Sequence, residues 1–211
     1  MKRVIVFDLD GTLIATMEGF ADIAADLINK TFNIPLDQAR QSYIDTSGIA
    51  FCNQLEVLFP NDSKNKSVSD EFERRKMIHF FDEKPHPQVI DALRKLKETG
   101  HKLAISSNNY HHVVNEYSDR HFEDLFDLAL GYEENFAKGD PHFNKICDEL
   151  RTSYNEMIFV ADSLSDLRLA KKCNVEFIGV EGIFSTKDFQ NIDREVRVLK
   201  NLWDLPQYLT N

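Results

Sequence analysis

Asp8 and Asp10 stand two residues apart at the end of an apolar run, Val4-Ile5-Val6-Phe7. In an extended chain residues i and i+2 share a face, so the two carboxylates point the same way. Side by side at the end of a buried strand they repel each other and are costly to desolvate unless a cation offsets them. Mg²⁺ does this with one or two carboxylates and completes its shell with water and phosphate oxygen, so the pair points to phosphoryl chemistry. Gly11 lets the chain turn away and leaves Thr12 beside the pair. The ordinary alternative is a strand followed by an acidic turn.

Such a strand needs a sheet to bury it. Its β-branched and aromatic residues suit a position covered on both faces. From Met17 the spacing of Phe20, Ala21, Ala24, Leu27 and Ile28 predicts an amphipathic helix, stopped by Asn33 and Pro35. Further helices are expected over 37–46 and 51–59, then a polar loop over 61–67 and a helix capped by Ser69. Nothing from Ala15 to Lys84 reads as a strand. Residues 15–84 are therefore expected to form an inserted all-α cap, and residues 1–14 and 85–211 the core.

Pro85 and Pro87 mark the return, followed by a helix to Thr99. Strands are then expected at 102–107, 125–131, 157–161 and 176–180, alternating with helices at 110–121, 140–150 and 164–173. This predicts an α/β fold, a Rossmann-like parallel-sheet core with helices on both faces. The tail around Trp203 reads as a closing flap. Ligands in such sheets bind beyond the carboxyl ends of the strands, so the residues just past each strand carry the information.

Past the second strand, Ser106-Ser107-Asn108-Asn109 offers hydroxyls and backbone N–H groups where a phosphate could sit, or simple helix caps. Lys138 precedes the Asp140 helix start and, alone, reads as a solvated charge. Asp162 ends the fourth strand and Asp166 lies one helical turn on. They are placed to share the inner and outer shells of a cation, or to suit a helix N-terminus.

Taken together, Asp8-Leu9-Asp10-Gly11-Thr12, Ser107-Asn108, Lys138 and Asp162-x-x-x-Asp166 follow expected strands in order. They resemble the four motifs of the haloacid dehalogenase superfamily, most of whose members are Mg²⁺-dependent phosphatases. With a helical insert between the first two motifs, the chain is most similar to the phosphoglycolate phosphatase and β-phosphoglucomutase branch. The resemblance implies that Asp8 attacks the phosphorus of a small phosphorylated metabolite to form an aspartyl phosphate. Asp10 would protonate the departing alkoxide and then activate water. Mg²⁺ would be held by Asp8, the main-chain carbonyl of Asp10 and Asp162, with Asp166 acting through water.

Ser107, Asn108 and Lys138 would hold the phosphoryl oxygens, with Thr12 ordering the Asp8 loop among them; Ser106 is the other register for the hydroxyl. Candidate substrate contacts in the cap are Thr46, Ser47, Gly48 and Phe51, with Glu18 at the hinge. A phosphomutase built on the same core is the alternative function, and a non-enzymatic phosphate-binding module the more distant one. The chain departs from the family pattern at Ile14-Ala15-Thr16, where Asp-Ser is common two residues after the Leu, at Lys138-Gly139 for Lys-Pro, and at Ala161 for Gly.

Composition narrows the setting. A formal net charge of −10 disfavours a nonspecific nucleic-acid or anionic-membrane surface, so attraction for a phosphate ester must be local. Cys52, Cys147 and Cys173 have neither an even count nor metal-site spacing, which fits a reducing cytoplasm. The start Met1-Lys2-Arg3 with its apolar run imitates a signal peptide until Asp8 and Asp10 break it, and no other run approaches transmembrane length. Adjacent His111 and His112 point in different directions on a helix and read as surface residues. Oligomeric state is not legible.

Overall fold

A computed structural model describes residues 4–210; the basic start Met1-Lys2-Arg3 lies outside them. The first strand, β1 (Val4–Phe7), is buried at every position, as its composition requires. β2 (Lys102–Tyr110) and β4 (Met157–Ala161) pair with it in parallel, one on each side. β3 (Leu128–Tyr132) extends the sheet beyond β2, and β5 (Glu176–Val180) and β6 (Arg197–Leu199) extend it beyond β4. The order is β3-β2-β1-β4-β5-β6, a doubly wound sheet whose strand order reverses beside β1 and leaves a crevice at the carboxyl ends there.

Alternation along β1 divides the core. Val4 and Val6 join the cluster that includes Phe143 and Ile146 of α7 (Asp140–Leu150) and Leu167 and Ala170 of α8 (Leu164–Cys173). Phe7 instead meets Phe126 edge-on with ring centroids 6.1 Å apart, on the side served by α5 (Pro87–Glu98) and α6 (His111–His121). Each such side chain, fully withdrawn from water, contributes about 1.5–3 kcal/mol. Pro87 occupies the first turn of α5, where its missing N–H costs nothing. The tail packs against α5 through buried Leu202 and Leu205, with Trp203 5.0 Å from the His86 ring.

Two elements of the core escape the sequence pattern. α9 (Thr186–Ile192) is short and opens with a capping box in which Ser185 and Asp188 bond each other's backbone. β6 is three residues long and borders β5. β3 begins at Leu128 rather than Leu125 because Asp127 still ties to Leu103 by its side chain, accepting that N–H at 2.8 Å. β2 runs on to Tyr110 instead of stopping at Ser107, with an irregular register against β3 between Ser106 and Tyr110.

The chain divides into two compact units, Met1–Ile14 with Lys84–Asn211, and Ala15–Glu83. The second consists of α1 (Met17–Phe32), α2 (Leu36–Asp45), α3 (Phe51–Leu58) and α4 (Asn65–Lys76), followed by a short 3₁₀ turn. Its core is aromatic: the Phe72 ring is tilted against Phe51 at 4.2 Å and lies 6.1 Å from Phe20 and 6.0 Å from Tyr43. α4 begins at Asn65, not at Ser69. The Asn65 amide donates to the Phe59 carbonyl at 2.7 Å, satisfying the end of α3, and Ser69 is carried onto the buried face. Among the described residues no helix is long and apolar enough to cross a membrane. All three cysteines are free thiols.

Candidate active site

The carboxyl end of β1 delivers Asp8, whose N–H still reaches Val160 of β4 at 3.0 Å while its side chain is buried. A tight turn follows. The Leu9 carbonyl accepts N–H groups from Leu13 and Ile14 at 2.9 and 3.1 Å, and Gly11 N–H reaches the Ile14 carbonyl at 2.7 Å. Gly11 has φ +80°, a conformation that side chains disfavour. The turn leaves Asp10 half-buried and buries Thr12, whose hydroxyl donates to Asp162 Oδ1 at 3.1 Å. Thr12 thus ties the first loop to the end of β4.

Asp162 directly follows β4, and Ser163 caps α8. The Ser163 hydroxyl accepts Asp166 N–H at 3.0 Å and donates to Asp166 Oδ2 at 2.7 Å, which fixes that carboxylate. Ser163 is a functional residue beyond those expected from the motifs, and its local signal is Ser-x-x-Asp at a helix start. Lys138 reaches in from the loop before α7. Its ammonium is 2.7 Å from Asp8 Oδ1 and 3.1 Å from Asp166 Oδ1, and its side chain is 3 % exposed, far from a solvated surface charge. Gly139 has φ +119°, which proline cannot adopt, so the backbone here differs from a Lys-Pro version and still delivers the lysine.

Charge in this pocket is unbalanced. Burial alone would lower the Lys138 pKa, but Asp166 and Asp8 overcome that and raise it. Asp162 is pushed well above the ordinary carboxylate range by desolvation, then by the charges of Asp8 and Asp166, with Thr12 and Lys138 opposing. Asp166 is raised too, chiefly by desolvation, against the pull of Lys138. Asp166 Oδ1 is buried and makes no aligned hydrogen bond. The donors are all oxygen and carry excess negative charge, which fits a hard divalent cation. Among the described residues no group of three or more His, Cys, Asp or Glu is arranged to hold a metal by itself, and Mg²⁺ asks for only one or two carboxylates.

β2 supplies the opposite wall. Ser106 is fully buried and its Oγ lies 2.9 Å from Nδ1 of His142 on α7, so its hydroxyl faces the helix. Ser107, next along, is also buried, and its Oγ accepts Asn109 N–H at 3.1 Å. This orientation favours Ser107 as the strand-end hydroxyl. Asn108 is half-buried in the last residues of β2, not at a helix start, because α6 opens only at His111. The cradle on this side is therefore an irregular strand end.

Three further residues of this wall were not singled out from sequence. Asn109 donates from Nδ2 to Asp10 Oδ2 at 2.6 Å. His142 is fully buried, and desolvation, followed by the charge of Lys138, lowers its pKa to about 4, so it is neutral at ordinary pH. Gly131 of β3 passes so close that an added Cβ would meet the Asn109 carbonyl oxygen and the His111 Cα at 2.6 Å. Gly131→Ala is expected to lower unfolding free energy by ~1–3 kcal/mol through overpacking and to cut turnover at least about tenfold by shifting Asn109. Urea denaturation alongside steady-state assays of the folded protein measures both. His111 is a correction to the surface reading: it is half-buried and accepts Gly131 N–H at 3.1 Å, while His112 is exposed.

The remaining candidates belong to the helical unit. Glu18 pairs with Arg40. The Thr46 hydroxyl donates to the Ser42 carbonyl at 2.8 Å and lies 2.9 Å from Gln54 Oε1. Phe51 is buried against Tyr43 and Phe72 and fills the core of the unit. Ser47 is buried, and Gly48 has φ +89° in the turn after α2.

An all-parallel 3-2-1-4-5-6 sheet with an acidic cluster and a buried lysine at its carboxyl edge defines a class. The chain belongs to the haloacid dehalogenase-like hydrolase family, which it matches over residues 5–180. It is 25 % identical to the phosphoglycolate phosphatase of Mesorhizobium japonicum, over 93 % of this chain and 87 % of that one. It is 26 % identical to the phosphoglycolate phosphatase of Aquifex aeolicus, over 82 % of each. Its fold matches a hydrolase from Pseudomonas syringae with a TM-score of 0.81 at 17 % identity, covering 99 % of this chain and 98 % of that one. It also matches CbbY from Rhodobacter sphaeroides, solved in complex with phosphate, with a TM-score of 0.74 at 18 % identity over 97 % and 96 %. The protein is a hydrolase of this family, phosphoglycolate phosphatase-like in sequence.

Proposed function

We propose that the chain is a Mg²⁺-dependent phosphatase that hydrolyses a small phosphate monoester through an aspartyl phosphate on Asp8. The observation that carries this reading is the buried Lys138 ammonium 2.7 Å from Asp8 Oδ1. It holds the nucleophile's charge in place and stands ready to share itself with the oxygens of an incoming phosphoryl group. Asp8 attacks phosphorus; Asp10 gives a proton to the departing alkoxide and later takes one from the hydrolytic water. Ser107, the Asn108 amide and Lys138 bind the phosphoryl oxygens, and Thr12 keeps the Asp8 loop tied to Asp162. Asp8, the Asp10 carbonyl and Asp162 would hold Mg²⁺, with Asp166 behind them; when bound it neutralises charge on the phosphoryl group and its neighbours.

Leaving-group recognition is assigned to the helical unit, with Glu18, Thr46, Ser47, Gly48 and Phe51 as its candidate contacts. The relatives make phosphoglycolate the first ester to try. A net charge of −10 favours a small phosphorylated metabolite over nucleic acid, and three free thiols suit the cytoplasm.

Hydrolysis of p-nitrophenyl phosphate tests the reading. Turnover is expected with Mg²⁺, is expected to fall below detection with EDTA, and should return when Mg²⁺ is restored; a panel of phosphorylated metabolites then ranks leaving groups. Full activity in EDTA would remove the metal from the scheme. Absence of turnover on every ester from folded, Mg²⁺-supplied protein would turn attention to the phosphomutase, for which a sugar-phosphate isomerisation assay decides.

A further inference from the structure

We infer that Asn109 is the positioning residue for Asp10, fixing which carboxyl oxygen exchanges the proton in both halves of the reaction; this rests on the function proposed above. Asn109 and Asp10 lie 99 positions apart and meet through Nδ2 and Oδ2 at 2.6 Å. Asn109 is 5 % exposed, and its placement is constrained from several sides. Its N–H is bonded to Ser107 Oγ at 3.1 Å, the β2–β3 register is irregular at this point, and Gly131 packs against its carbonyl with no room for a side chain. A buried side chain held this tightly is pre-organised rather than recruited on binding.

The chemistry follows from the donor. An amide NH₂ can only donate, so Oδ2 offers it a lone pair; the carbonyl oxygen of a protonated carboxyl accepts better than its hydroxyl, which favours the proton that Asp10 carries on Oδ1. In the first step an Asp8 oxygen forms a bond to phosphorus. The bond from phosphorus to the leaving oxygen breaks with its electron pair, and that oxygen takes the Oδ1 proton. In the second step water attacks phosphorus and gives a proton to Oδ1. The bond from phosphorus to Asp8 then breaks, releasing phosphate and regenerating the carboxylate. Asn109 exchanges no proton. It prevents the Asp10 carboxyl from rotating, so the same oxygen faces the leaving group and then the water.

The test is a leaving-group comparison on Asn109→Ala and Asn109→Leu, the second keeping most of the side-chain volume without a donor. For each, kcat/KM is measured with Mg²⁺ on p-nitrophenyl phosphate, whose phenolate departs without help, and on the best alkyl phosphate of the panel, which needs a proton. The ratio of the two is independent of the fraction of active enzyme, so partial misfolding does not disturb it. We expect the alkyl value to fall about tenfold to a hundredfold, with p-nitrophenyl phosphate changing less than about threefold. Since kcat/KM reports only steps up to release of the first product, kcat on p-nitrophenyl phosphate should still drop and a burst of p-nitrophenol should appear, because aspartyl-phosphate hydrolysis also uses Asp10.

An equal fall on both esters, or no fall on either, overturns the inference. Asp10→Asn is measured alongside. If it discriminates between the esters and the Asn109 variants do not, the inference alone is lost. If Asp10→Asn spares the alkyl ester, Asp10 is not the acid, and the functional reading fails together with the inference.

Discussion

Asp8→Asn is expected to abolish turnover on every phosphate ester, by at least about a thousandfold, while leaving the protein as stable as before or more so. The loss follows from chemistry: an amide at this position has no anionic oxygen to attack phosphorus. The gain follows from electrostatics. Asp8, Asp162 and Asp166 are buried together with Lys138 among them, and the charges of Asp8 and Asp166 both raise Asp162. Neutralising Asp8 removes one repulsion and leaves Lys138 its contact with Asp166 at 3.1 Å. Denaturation without Mg²⁺ should therefore give an unfolding free energy equal to or above that of the wild type, with undetectable turnover. A variant that is both inactive and unfolded would instead mean that Asp8 is needed for structure.

Lys138→Met is expected to damage both properties. The side chain is 3 % exposed and its ammonium is the cation that touches both Asp8 and Asp166. Removing one partner of a buried ion pair typically costs about 3–5 kcal/mol, because the remaining charges stay buried without compensation. Activity should fall by at least about a hundredfold, since Lys138 is proposed to bind the transferring phosphoryl group. The stability penalty should depend on pH. Desolvation and mutual repulsion already raise Asp162 and Asp166 in the wild type, and loss of Lys138 raises them further. Folded carboxyls with raised pKa values bind protons more tightly than unfolded ones. Their contribution is thus fully present below the ordinary carboxylate range and is lost as pH rises through the raised values. Urea denaturation of wild type and variant without Mg²⁺ should therefore show a larger gap at pH 8 than at pH 5. A gap independent of pH would assign the lysine a packing role alone.

Legibility in the sequence tracked the range of the forces involved. Local patterns carried most of the fold. Four buried residues and then Asp8 mark β1; helical spacing from Met17 marks α1; and strand–helix alternation after Pro87 marks a parallel sheet. In each case neighbouring residues in sequence supply the periodicity that burial on one face or two demands. α9 could have been read from Ser185 and Asp188, whose capping box is local, whereas β6 could not, because three residues show no period and pair only where β5 leaves an edge.

The candidate site divides along the same line. Residue types at strand ends pointed to Asp8, Asp10, Asp162 and Asp166, because strand ends are set by local pattern, whereas Ser107 and Lys138 were named by their resemblance to the family motifs. What each side chain touches was decided by tertiary structure alone. Lys138 between Asp8 and Asp166, Thr12 on Asp162, His142 on Ser106 and Asn109 on Asp10 join residues far apart in the chain. The sequence ends the second strand at Ser107 and opens a helix at Tyr110, yet the strand runs on to Tyr110, where β3 lies beside it and Gly131 leaves space for it to approach. Sequence by itself determined the order of the elements and the chemistry available at their ends. Only the folded chain, by closing pairs whose separation carries no periodic signal, decided which groups share a proton, a charge or a hydrogen bond.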